Sequence, residues 1–215
     1  MEPSHAPRYS NFEIEKIVTE ILEHTYPQTI DIPVDIDLVA QNHSLVDDII
    51  PIELLEDKFN IAAILQSKGD TVDILIDEDT YTGQQGRANF SIAHELGHIV
   101  LHPDIWRNCH TLTDVLDMHQ RINDVYRRIE RNANYFAGAI LMPRSRLYRH
   151  TSELYEGLVK MYTLTNPDLI RHKIWTRLAQ QYGVTIQPMQ IRLKEISIER
   201  KIEEAIRCQS PYLDI

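Results

Sequence analysis

Ten histidines and sixteen glutamates are scattered over 215 residues, and at one place they fall into a pattern with a chemical use: His94-Glu95-Leu96-Gly97-His98. Chance would place about 0.03 copies of H-E-x-x-H in a chain of this composition. Histidines four apart on a helix stand one turn apart on the same face, so two imidazoles can reach one ion. At about 100° per residue, Ser91, His94, Glu95, His98 and His102 share one arc of such a helix. Ile92, Ala93, Leu96, Ile99 and Val100 form the opposite arc and can pack on a sheet. Glu95 is turned away from the two imidazoles by enough to touch a water beside the ion rather than the ion itself.

Two histidines leave a zinc ion under-coordinated, and an open catalytic site needs a third protein ligand. Glu130 is the best candidate. It lies at the edge of an apolar face made by Tyr126, Ile129, Ala133, Phe136, Ala137 and Ile140, where a carboxylate needs a partner and a cation would supply it. Asn134, one turn further on the same side, could orient a ligand histidine. His110 and His119, in the polar stretch before Glu130, stand next in line, although such histidines are ordinarily surface residues. His102 either lines the cleft or makes a helix-end contact. Tyr126 either offers its hydroxyl to a substrate carbonyl or packs in the core. Cys109 has no basic helix start around it and reads as incidental.

The elements that must position these groups follow from pattern. Ser10 and Glu13 form a capping box ahead of Ile14, Ile17, Val18, Ile21 and Leu22, which predicts an amphipathic helix ending before Pro27. A short helix is expected over 35–42. Residues 45–50, 60–66 and 71–76 are β-branched runs that predict a small sheet. A helix over 88–102 carries the two histidines and stops at Pro103, residues 104–120 read as irregular, and a helix over 122–141 carries Glu130 and stops at Pro143. Residues 144–207 read as mostly helical, broken near Asn166-Pro167, at Gly183 and at Pro188. Sheet first and helices later indicate an α+β fold.

Composition narrows the function classes. The chain carries 43% hydrophobic and 25% charged residues, enough for an ordinary core. Two distant cysteines exclude a disulfide scaffold. No apolar run approaches the roughly 20 residues of a membrane helix, and the first residues lack a signal peptide's basic and apolar regions, so a cytoplasmic location without membrane contact is expected. The net charge of −10 is uneven: residues 1–80 hold 18 acidic and 4 basic residues. Such a chain is a poor nonspecific ligand for nucleic acid, and DNA binding is not expected.

The two motifs together resemble a known family. IAHELGHIVLH followed by ERNANYFAGAILMP is similar to the ImmA/IrrE zinc metallo-endopeptidases, over about residues 30–195; Arg87, Phe90 and the LMP at 141–143 also fit. The resemblance implies a zincin-like fold, one zinc per chain held by His94, His98 and Glu130, Glu95 as general base, and a helix-turn-helix repressor as the protein substrate. Asn132 departs from the pattern, because many members carry a second glutamate there. The implied organisation is a metallopeptidase domain over 1–165 and a helical, helix-turn-helix-like subdomain over 166–215. In the latter, Gln187, Gln190, Arg192 and Lys194 could read base edges if their helix entered a groove. A DNA-binding regulator with a merely structural metal site is therefore the rival reading.

Overall fold

Ser10 starts the first helix as its sequence requires: Glu13 N–H donates to Ser10 Oγ at 3.3 Å and Ser10 N–H donates to the Glu13 carboxylate at 2.7 Å. The result is α1, Asn11–Thr25, with Ile14, Val18 and Leu22 buried on one face. The computed structural model describes residues 7–107, 110, 111, 114, 124–161 and 167–213. These fall into two compact units, Met1–Leu141 and Met142–Ile215.

In the first unit α2 (Ile36–Gln41) leads to β1 (Val46–Ile52), α3 (Leu55–Phe59), β2 (Ala63–Ser67) and β3 (Val72–Asp77). The sheet order is β1-β3-β2. The chain turns tightly from β2 to β3 through Gly69 at φ 88, so those strands pair antiparallel, whereas β1 joins β3 in parallel. Helices α3 and α4 (Glu78–Gly83) were not visible in the sequence pattern. Both depend on one side chain: Asp77 accepts from Thr80 N–H and from Glu56 N–H, each at 2.9 Å.

Helix α5 (Gln85–Leu101) packs on β3, and α7 (Asp124–Leu141) packs on α5. Between them, Pro103 does not simply end the helix. It opens a four-residue helix, α6 (Pro103–Trp106), because proline suits a first helical position. Irregular chain was expected there; Trp106 holds this helix by donating to the Ile99 carbonyl at 3.3 Å. Helix α1 lies against the far side of α7, where Tyr135 donates to the Glu15 carboxylate at 2.9 Å.

The second unit is helical among its described residues: α8 (Arg144–Met161), α9 (Pro167–Gln181), α10 (Ile186–Glu195) and α11 (Ile198–Arg207). Gly183, at φ 61, makes the turn between α9 and α10. Tyr155, Ile174, Tyr182, Leu193 and Ile202 are fully buried in it. One expectation is overturned here. Arg192 cannot face a DNA groove, because it is fully buried and its Nε donates to the Met142 carbonyl at 3.2 Å. Lys194 and Gln187 are exposed.

Candidate metal centre

The two histidines are brought to Glu130 by the crossing of α5 and α7. His94 and His98 face each other with their Nε2 atoms 3.0 Å apart. The Glu130 carboxylate closes the triangle, 3.2 Å from His94 Nε2 and 3.4 Å from His98 Nε2. Among the described residues this is the group of three such side chains able to share an ion. Ligands about 2.0–2.1 Å from a tetrahedral zinc stand about 3.3 Å from one another, so the donor set and its spacing fit that ion.

Close approach of the two helices is what makes the triangle possible. A Cβ on Gly97 would lie 3.1 Å from Phe136 Cδ1 and 3.2 Å from the backbone of Ala133, one turn beyond Glu130. Any side chain at 97 would hold α7 away. The sequence carried a signal for this, a glycine inside an otherwise strong helical pattern.

Beside the imidazoles one carboxylate, Glu95, is taken out of water, whereas the Glu130 side chain is 40% exposed. Burial raises the Glu95 carboxyl to about 8, with His94 pulling it down and Glu130 pushing it up; only 6% of the residue is exposed. Burial would also raise Glu130, but its hydrogen bonds with His94 and His98 outweigh it and hold the carboxyl far below the usual range. Burial alone would lower His94, yet the Glu130 hydrogen bond and the nearby carboxylates leave it raised, and the Asn134 side chain contributes in the same direction by hydrogen-bonding the ring. Two imidazoles and a carboxylate at this spacing are a group that could hold a metal ion.

The other residues singled out by sequence fall outside the triangle. His102 is buried with its ring 5.7 Å from that of His98 and 6.3 Å from that of Tyr9; burial takes it down to about 3, so it stays neutral. Tyr126 is buried on α7. His110 is exposed and its backbone N–H donates to Asp114 at 3.2 Å. His119 and Cys109 lie outside the described residues.

Residues 73–194, more than half of the chain, match the family model Peptidase_M78, IrrE N-terminal-like domain. That span contains both motif helices. No curated protein matches the chain.

Proposed function

The chain belongs to the IrrE N-terminal-like peptidase family, and from that premise we propose that it is a zinc-dependent endopeptidase, acting in the cytoplasm on a helix-turn-helix repressor of stress or mobile-element genes. The observation that carries the reading is the triangle of His94, His98 and Glu130 with Glu95 beside it. On this reading the fold is zincin-like, and the helical second unit, with its helix-turn-helix-like pair α9 and α10, helps to position the protein substrate.

His94, His98 and Glu130 would hold one zinc per chain. When bound, zinc supplies Lewis acidity toward water and toward the scissile carbonyl. The remaining work belongs to side chains of this protein. Glu95 takes the proton from the attacking water and passes it to the leaving amine, a role that suits a carboxylate standing beside the three ligands and not among them. Asn134 keeps the His94 ring in the orientation that points Nε2 at the site. The low dielectric around the buried Glu95 strengthens each of these interactions.

The test is incubation of the zinc-loaded protein with any helix-turn-helix repressor found encoded beside its gene, read by mass spectrometry. A single new cleavage that disappears in Glu95→Gln at unchanged zinc content is expected. An intact repressor with wild-type protein and bound zinc would refute the assigned substrate, and equal cleavage by Glu95→Gln would remove that residue from the mechanism.

A further inference from the structure

The sheet is covered unequally on its two faces. On one, Ile74 and Ile76 are fully buried, with α5 packed against β3 and β2. On the other, Ile50, Leu75 and Ile64 line up across the three strands by register. The five-residue α3 sits over that row through Leu55, and Ile50, Ile52 and Ile61 remain partly exposed around it. At the two ends of α3, Leu54 is 47% exposed and Phe59 38%.

Leu54 is unfavourable in two ways. It is held at φ 62, the left-handed region that a residue with a branched side chain avoids, and it turns that side chain to solvent. The segment is nonetheless fixed, because Glu56 N–H is bound by Asp77 at 2.9 Å. A local rule broken inside a well-anchored segment points to use.

The rim of the patch is anionic. From Asp47 to Ile61 there are five carboxylates and one cation, Lys58. Lys68 neutralises Asp47 at 2.9 Å and Arg87 neutralises Glu56 at 2.5 Å, leaving Asp48, Glu53 and Asp57 as exposed charges. The edge itself is unsuited to an added strand, since Pro51 in the edge strand β1 removes a backbone donor. A helix laid on the face meets no such obstacle.

We propose that this patch docks an amphipathic cationic helix of a partner protein. Apolar side chains at i, i+3, i+4 and i+7 would pack on Ile50, Leu54 and Phe59, and flanking Lys and Arg would face Asp48, Glu53 and Asp57. The proposal is independent of the peptidase reading, because binding is measured without cleavage.

The probe is a fluorescein-labelled 18-residue Leu/Lys peptide with helical apolar spacing, compared with a scrambled peptide of the same composition, on the full chain. Saturable binding with hydrogen-exchange protection at residues 50–61 is expected, at least about tenfold tighter than for the scrambled peptide. Leu54→Gly should weaken it about fivefold or more without lowering Tm, because glycine accepts the left-handed backbone while removing the contact. Phe59→Ser should weaken it as well, and Glu53→Lys with Asp57→Lys should abolish its salt dependence. Equal affinity for the scrambled peptide, protection elsewhere, no saturable binding, or affinity untouched by Leu54→Gly and Phe59→Ser would overturn the proposal. A dimer that protects residues 50–61 without peptide would make the occupant a second copy and overturn it too.

Discussion

Replacing Gly97 with alanine adds one methyl group at the place where α5 and α7 touch. Ordinary carbon contacts lie at about 3.5–4.0 Å, whereas the new Cβ would meet Phe136 Cδ1 at 3.1 Å and the Ala133 Cα and carbonyl oxygen at 3.2 Å. Phe136 is fully buried and the other two atoms are backbone, so the helices must part by a few tenths of an ångström. Such overpacking costs about 1–3 kcal/mol, and the better helix propensity of alanine returns about 1 kcal/mol. The net effect on stability is therefore a loss of about 0–2 kcal/mol. The effect on the metal group is the sharper one, because Ala133 is one turn from Glu130 and ligand distances tolerate only about 0.2 Å. A displaced carboxylate should lower metal affinity roughly 10–100-fold, the range found when a ligand loses its support. Competition against a chelating indicator measures the affinity and a thermal melt the stability. Gly157→Ala is the control, since nothing lies within 4 Å of its Cβ in α8; it should raise stability by about 0.5–1 kcal/mol and leave metal binding alone. If Gly97→Ala behaves the same way, the close crossing does not position Glu130.

Three further outcomes follow from named contacts. Glu130→Ala should lower zinc content sharply in the purified protein, because two imidazoles then lack their one anionic partner; wild-type zinc would move the third ligand elsewhere. Asp77→Asn should cost about 1–3 kcal/mol at neutral pH, since its carboxylate accepts from both Glu56 and Thr80. Burial alone would raise this carboxyl, but its hydrogen bonds hold it lowered, so the stability it adds is present above about pH 4 and is lost as pH falls through its folded value; chemical denaturation of both proteins from pH 7 to 3 should show the two converging. Arg192→Ala should destabilise the protein by about 2–4 kcal/mol in a thermal melt, through a lost buried hydrogen bond and the space left behind, whereas Lys194→Ala should stay within about 0.5 kcal/mol.

What could be read from sequence was whatever rests on residues close along one helix. The Ser10–Glu13 box, the four-residue step from His94 to His98 and the margin position of Glu130 are all local patterns, and the structure reproduces each as geometry. Features set by distant parts of the chain were not legible. The order of the strands depends on how Ile50 and Leu75 meet, and α3 depends on a carboxylate 21 residues away. The use of Gly97 lies in Ala133 and Phe136, which sequence does not place beside it. Arg192 was misread for the opposite reason. A charged residue on a helix is ordinarily solvated, and only the folded chain reveals the Met142 carbonyl that receives it.

The charge that sequence distributes by position is distributed in the structure by unit. Residues 1–141 hold 24 acidic and 10 basic residues, a balance of −14, and residues 142–215 hold 12 basic and 8 acidic, a balance of +4. The metal group and the apolar patch on the sheet both belong to the acidic unit. Its field favours cations and basic proteins at distances up to about a Debye length, roughly 8 Å at physiological salt. The positive balance of the other unit overstates its capacity for DNA. Arg192 is buried, and Arg171 is bound to Asp168 and to Glu203 at 2.8 Å. Arg200 is bound to Glu204 at 2.8 Å. Each cation held in this way is one fewer to displace counterions from a duplex, and the affinity of such a surface falls with every phosphate contact it fails to make. The balance of −14 on the first unit is the charge that suits the basic protein partner proposed above.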